Sequence, residues 1–281
     1  MKKGLVLEGG AMRGLFTAGV IDVMMKNNIV LDGLIGVSAG ACFGCNYKSK
    51  QIGRSIRYNK KYCRHPRYCS FRSLFLTGDL FEANFCYHIL PTELDPFDGQ
   101  TFEQNPMEFY LVCTNVETGE AVYKKCDVAD FECFEWVRAS ASMPLVSRVV
   151  PIQGGKYLDG AIADSIPLQF FQSIGYEKNI VILTQPDGYV KEECDFMPLV
   201  RIALRKYPKC LELLEKRHIM YNDTLEYIRQ QEKLGKTLVI RPENFLPIGR
   251  ISHKPEKLQE TYDIGCHIGE KWLPKIKEFL S

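Results

Sequence analysis

The chain has 281 residues, of which 46% are hydrophobic and 25% charged, with a formal net charge of +2. That balance describes a folded globular protein with a sizeable core and excludes a disordered or collagen-like chain. No stretch approaches the roughly 18 uninterrupted apolar residues of a membrane span, and the start does not read as a secretory signal, because the apolar run 4–7 is cut short by Glu8, Gly9 and Gly10.

Residues 3–8 (KGLVLE) predict a short buried strand, ended by Gly9-Gly10. Leu15, Phe16, Val20, Val23 and Met24 recur at helical spacing and predict a helix, closed by Asn27-Asn28. A second apolar run, 34–37, leads straight into Ser38. The small residues Ala39-Gly40-Ala41-Cys42 then suit a helix packed tightly on a sheet. Residues 63–90 are the least regular and read as a cap or an excursion over a site. Further strands are predicted at 109–114, 121–124, 147–152, 179–184 and 237–240. Helices are predicted at 130–140, 167–173, 199–207, 210–234 and 257–280, the first of these N-capped by Asp130. Strands alternating with helices predict an α/β fold with a mainly parallel sheet covered on both faces. With no internal repeat and no low-complexity linker, one domain is expected over 1–281, its C-terminal helical region (about 195–281) packed on the rest.

The 11 cysteines, an odd number, read as reduced thiols of a cytoplasmic protein. Cys42 and Cys45 form a CxxC, but no second such pair offers two more zinc ligands, so buried structural thiols are the better reading. Charge is unevenly spread. Residues 48–72 carry nine Lys and Arg and no Asp or Glu, which leaves the remainder net acidic. Tyr47, Tyr58, Tyr62, Tyr68 and Phe71 are interleaved with these cations. Such a segment suits anionic lipid headgroups, with the protein peripheral to the inner membrane face. The plainer reading is solvated charge paired with acids elsewhere. Nucleic-acid binding has no motif to support it.

Gly36-Val37-Ser38-Ala39-Gly40 is a G-x-S-x-G between an apolar strand and a small-residue helix. A serine placed there must turn sharply, and flanking glycines remove the Cβ clashes of such a turn. Its hydroxyl then projects above the end of the sheet as a candidate nucleophile. Five residues alone also fit a tight structural turn. The loop Gly9-Gly10-Ala11-Met12-Arg13-Gly14 exposes several N–H groups in one concavity, which suits an oxyanion. Its rival reading is a dinucleotide-binding turn, with Asp32 about where a ribose-binding acid belongs. Against that reading, Ala11 stands where the second glycine should let pyrophosphate approach. Among the candidate bases, His65, His88, His253 and His267 have no distinctive surroundings. His218 lies on the stripe Leu211, Leu214, Tyr221, Leu225 and reads as a core or interface residue. An aspartate stands out instead. Asp159 sits at the end of a short strand, with glycines at 154, 155 and 160. Burial would raise an aspartate from about 3.9 toward a useful basicity; an ordinary turn residue is the alternative.

Together these pieces resemble the patatin-like phospholipase family, most nearly its bacterial members. That family orders a glycine-rich oxyanion loop, a G-x-S-x-G and a D-G-G or D-G-A, here Gly9 to Gly14, Gly36 to Gly40 and Asp159-Gly160-Ala161. Ala139-Ser140-Ala141-Ser142-Met143-Pro144 also resembles its A-S-x-x-x-P segment. The resemblance covers about residues 4–170. It implies a three-layer α/β/α fold, no metal or other cofactor, and a Ser38–Asp159 dyad without histidine. It further implies an oxyanion hole from the amides around Gly10, Ala11 and Met12, with Arg13 lending positive potential. Ala11 departs from the usual glycine, which keeps the amide but reduces backbone freedom. The implied activity is acyl-ester hydrolysis in lipid catabolism, on phospholipids or other lipid esters. A catalytically silent lipid-binding protein, an acyltransferase and a thioesterase fit the same motifs.

Overall fold

The computed structural model describes residues 1–281. Its strands are β1 (Lys2–Leu7), β2 (Gly33–Val37), β3 (Glu108–Asn115), β4 (Ala121–Lys125), β5 (Val150–Ile152), β6 (Gly155–Asp159), β7 (Tyr176–Ile182) and β8 (Thr237–Ile240). Its α-helices are α1 (Gly14–Lys26), α2 (Ala39–Lys48), α3 (Arg54–Tyr62), α4 (Phe71–Thr77), α5 (Gly99–Gln104), α6 (Phe131–Ser140), α7 (Leu168–Ser173), α8 (Met197–Ala203), α9 (Pro208–Lys233) and α10 (Pro255–Leu280). A wider π-type coil, Phe85–Leu94, precedes α5.

All eight strands form one sheet in the order β5-β6-β3-β2-β1-β7-β8, with β4 on the remaining edge of β3. The run from β3 to β8 is parallel; β4, β5 and β6 are antiparallel. Side chains alternate across this sheet, as the pleat requires. Leu5, Leu7, Leu34, Phe109, Leu111 and Ile182 pack toward α1, α2, α6 and α10. Val6, Ile35, Val37, Val112, Val181 and Val239 pack toward Phe171 of α7 and Tyr221, Leu225 and Ile228 of α9. The α/β/α layering follows from burying both faces of a parallel sheet.

Several elements differ from the sequence expectation. The strand expected at 147–152 is only Val150–Ile152, because residues 147–149 pair with no neighbouring strand; Gln153 and Gly154 then turn at φ 51° and 79° into β6. Positive φ at both residues is the hairpin turn that matches strand twist. The helix expected at 199–207 runs Met197–Ala203, and Tyr207 is non-helical at φ −129°, ψ 69°, as a residue before proline tends to be. No helix is long and apolar enough to cross a membrane, and all 11 cysteines are free thiols.

The pairing of β3 explains why residues distant in sequence meet. One edge of β3 is taken by β4 over residues 110–114. On the other edge, β2 pairs from Glu108 to Val112 and ends at Val37, opposite Val112. Immediately beyond, β6 takes over in the opposite direction, with Asp159 opposite Cys113. Two strands therefore run head-on along a single edge, and their C-terminal ends converge at Ser38 and Asp159.

Candidate active site

Ser38 connects β2 to α2 at φ 56°, ψ −122°. A non-glycine residue at such a conformation stores about 1–3 kcal/mol of strain and needs its surroundings to hold it. Gly36 and Gly40 provide the room. A Cβ on Gly40 would run into the Leu7 carbonyl oxygen, and one on Gly36 into the Gly40 backbone. Hydrogen bonds fix the rest. The Ser38 N–H donates to Ser140 Oγ at 3.0 Å, and that hydroxyl donates to the Val112 carbonyl at 2.7 Å. The Ser38 carbonyl accepts from the N–H groups of Ala41 and Cys42, both at 3.0 Å. Ser140, at the end of α6 and wholly buried, thus ties the serine turn to β3.

Asp159 is buried, with its backbone held on both sides. Its N–H donates to the Ser142 carbonyl at 2.8 Å, and its carbonyl accepts from Thr114 Oγ1 at 2.8 Å. Its Oδ1 accepts from the Ala161 N–H at 2.8 Å. Burial pushes the carboxyl up to about 6, opposed by the Ala161 amide, the Ser38 hydroxyl and the Arg217 charge. Ser38 and Asp159 line the same cavity, where the serine hydroxyl favours the charged carboxylate. At neutral pH Asp159 is mainly ionised, and it is far more basic than an exposed aspartate.

The loop Gly9 to Gly14 lies directly against the serine; a Cβ on Gly9 would come within 2.9 Å of Ser38 Cβ. Gly14 packs on Ala39 and Phe43 of α2. Ala11 adopts φ 50°, in the left-handed region where glycine is easier. The amides of Gly10 and Ala11, and that of Ala39 at the start of α2, have no acceptor within the protein. Met12 departs from the expected donor set. Its N–H donates to the Arg250 carbonyl at 3.3 Å, and its side chain turns to an apolar cavity. Ala39 was not foreseen as a donor, although the residue after an elbow serine commonly fills that role.

Two cavities meet at Ser38 and Ala11. The first has an empty space of ≈ 850 Å³ with its mouth included, and 15 of its 19 lining residues are hydrophobic. Phe43, Tyr58, Leu90 and Val137 line it, together with Tyr68 and Phe81 from the irregular stretch 63–90. That stretch thus forms one wall of the site. The second cavity, ≈ 560 Å³ on the same measure, holds Asp159 and the cations Arg13, Lys191, Arg217 and Arg250.

Other sequence candidates lie elsewhere. Asp32 precedes β2, at the end of the sheet away from the Gly9 loop, and its Oδ2 accepts from the Lys3 N–H at 2.6 Å. His218 lines neither cavity; its Nε2 faces Glu193 at 3.8 Å. The basic segment is largely used internally. Arg54 and Arg57 pair with Asp95 at 3.3 and 2.7 Å, Arg67 pairs with Glu82, and Lys48 is buried over the Phe102 ring. Tyr47, Tyr58, Tyr62 and Tyr68 are buried as well. Packing against the core has claimed these aromatics, so only Phe71 of that set faces solvent.

An α/β/α sandwich with a serine turn where its parallel strands end is an architecture of acyl hydrolases. The profile of the family described as patatin-like phospholipase matches residues 5–171. The chain belongs to the patatin-like phospholipase family. A second profile, described as a domain of unknown function (DUF6363), matches residues 207–281. The uncharacterized protein YjjU of Escherichia coli K12 is 25% identical over 99% of this chain and 78% of its own length. Lysophospholipase nte1 of Aspergillus terreus is 24% identical over 98% of this chain, and that of Aspergillus niger 23%. This chain spans only 18% of the length of either lysophospholipase. Among solved structures, VipD from Legionella pneumophila aligns with a TM-score of 0.46 and 13% identity, over 96% of this chain and 67% of that one.

Proposed function

We propose that the protein is a serine acyl-ester hydrolase acting on lipid esters, with Ser38 as nucleophile and Asp159 as its base. The observation that carries this reading is the convergence of Ser38 and a buried, basic Asp159 beside unpartnered amides, at the mouth of an apolar cavity. Asp159 takes the Ser38 proton as Oγ attacks the ester carbonyl. The amides of Gly10, Ala11 and Ala39 stabilise the tetrahedral oxyanion. The alkoxide leaves with the proton from Asp159, and water, deprotonated by the same carboxylate, releases the acid from Ser38. The apolar cavity is suited to one acyl chain, and the relatives named lysophospholipase support a lipid substrate.

The segments 5–171 and 207–281 act as one unit in this reading, since α9 and α10 cover opposite faces of the shared sheet. The free thiols support a reducing, cytoplasmic setting. Peripheral contact with anionic lipid is part of the same proposal. Phe71, Phe75 and Leu76 of α4 are exposed at 79%, 89% and 62%, with Arg72 among them, next to the cavity wall formed by Tyr68 and Phe81. Co-sedimentation with anionic vesicles and not with neutral ones is expected; equal behaviour with both rejects the contact. For the reaction itself, purified protein should release fatty acid from a panel of lysophospholipids, acylglycerols and p-nitrophenyl esters. Ser38→Ala should lose that release, and full activity in the variant would refute the assignment.

A further inference from the structure

We propose that α9, the long helix of the C-terminal segment, positions both halves of the active site: Arg217 holds the turn that orients Asp159, and Tyr221 holds the loop that carries the oxyanion amides. This rests on the hydrolase reading and gives the segment 207–281 a part in the reaction.

Arg217 and Tyr221 stand four residues apart on α9 (Pro208–Lys233), so both project from one face of the helix. Both line the cavity that holds Ser38 and Asp159. The segments they reach, 160–162 and 8–10, are far apart in the chain.

Arg217 meets the short turn Gly160–Ile162 that follows β6. Its Nε donates to the Ala161 carbonyl, and its Nη2 donates to Ser165 Oγ at 3.4 Å. The Ser165 hydroxyl donates in turn to the same Ala161 carbonyl at 2.7 Å. The N–H of Ala161 is the donor to Asp159 Oδ1. Fixing the Ala161 carbonyl therefore steadies the amide that orients the carboxylate, with Oδ2 left for the Ser38 proton. Electrostatics act along the same line. Among neighbouring charges, that of Asp159 acts most strongly on the guanidinium, and the guanidinium favours the ionised carboxylate. Cys42 on α2 and Cys113 on β3 also face Asp159, but burial pushes both thiols up, Cys42 to about 12, and they stay neutral near pH 6. Glu8, Arg13, Lys191 and Arg250 share the cavity, yet Arg217 is the charge that acts on the carboxylate.

Tyr221 works one helical turn further on. Its hydroxyl donates to Glu8 Oε1 at 2.6 Å. Glu8 Oε2 accepts from the Thr184 N–H at 2.6 Å. Thr184 Oγ1 lies 3.1 Å from Glu8 Oε2 and 3.2 Å from the Gly9 carbonyl, and its one proton is shared between them. The same side chain packs on Gly10, where a Cβ would come within 2.8 Å of Thr184 Oγ1. Glu8 and Thr184 are buried, so the Tyr221 hydroxyl has no water to replace it, and its loss leaves a buried carboxylate short of a donor. Through this relay α9 sets the place of the Gly9–Gly10 backbone beside Ser38.

The test is hydrolysis of p-nitrophenyl butyrate across pH 5–9 by folded full-length variants. Arg217→Met keeps the shape of the stem and drops the donors and the charge. It should lower kcat by about tenfold or more at little change in KM, and move the acid limb upward from about 6 by about one pH unit. Arg217→Lys, which keeps the charge, should return the limb toward its wild-type position. Tyr221→Phe should lower kcat, again at little change in KM. If Arg217→Met does not fold, Arg217→Gln keeps a donor at the place of Nε and should still displace the limb. Wild-type kcat in Arg217→Met or Tyr221→Phe, an unmoved limb in the neutral Arg217 variants, or a limb as displaced in Arg217→Lys as in Arg217→Met, overturns the proposal. Carbon-13 NMR of the Asp159 carboxyl gives a readout free of turnover, and its titration midpoint should rise in Arg217→Met by the same amount as the limb. A raised midpoint in a protein whose wild type hydrolyses no ester would sink the hydrolase reading and leave the Arg217 brace standing. An unmoved midpoint in an active enzyme would do the reverse.

Discussion

Replacing Asp159 by asparagine should make the protein more stable and inactive at once. The native fold holds this carboxyl in a buried position that raises it from 3.8 to about 6. Moving the group that far costs its charged form about 3 kcal/mol. Between these two values the folded protein binds the proton more tightly than the unfolded chain does, so wild-type stability falls as pH rises through that window. Below it both states are protonated and the cost vanishes; above it the full cost is present. Asparagine approximates the protonated carboxyl in shape and does not titrate. Urea unfolding of the two proteins should therefore give similar stabilities near pH 4, with the variant gaining to about 3 kcal/mol near pH 7.5. A variant less stable than wild type near pH 7.5, or a difference independent of pH, would refute the claim that burial strains this carboxylate.

Hydrolysis of a neutral p-nitrophenyl ester should follow the ionised form of Asp159: kcat/KM should fall as pH drops through about 6, and a flat acid limb would exclude this base. Ser140→Ala removes the hydroxyl that bridges the Ser38 N–H and the Val112 carbonyl. It should cost about 1–3 kcal/mol in urea unfolding and lower kcat more than it raises KM. Ala11→Gly relieves the left-handed backbone at φ 50° and should raise stability by about 1 kcal/mol, read as a shift of the urea midpoint at constant slope. Leu90→Trp fills part of the apolar cavity. It should lower kcat/KM for palmitoyl esters relative to butyryl esters by about tenfold; an unchanged ratio would place the acyl chain elsewhere.

The serine turn and its glycines were legible in the sequence because their spacing is local: one strand, one turn and one helix start lie within residues 33–48. The parallel strands were legible too, as short apolar runs between helical patterns. What is set by distant pairing was not. The head-on meeting of β2 and β6 along β3 depends on the Cys113–Asp159 register, and no local pattern around either residue encodes it. Ser140 appeared as a motif letter, but its bridge to Ser38 needs α6 to end against the serine turn. The cationic cavity draws Arg13, Lys191, Arg217 and Arg250 from positions more than two hundred residues apart at the extremes. Its members had no common signal, whereas three of the nine cations in the conspicuous run at 48–72, Arg54, Arg57 and Arg67, are tied to Asp95 and Glu82.

Labelling with a fluorophosphonate, followed by intact mass and peptide mapping, tests the central chemistry most directly, since only a hydroxyl activated by a neighbouring base reacts rapidly with such a probe. A Ser38–Asp159 site predicts one adduct, on Ser38, none in Ser38→Ala, and much slower labelling in Asp159→Asn. An adduct on another residue, or unchanged labelling after either substitution, would contradict it.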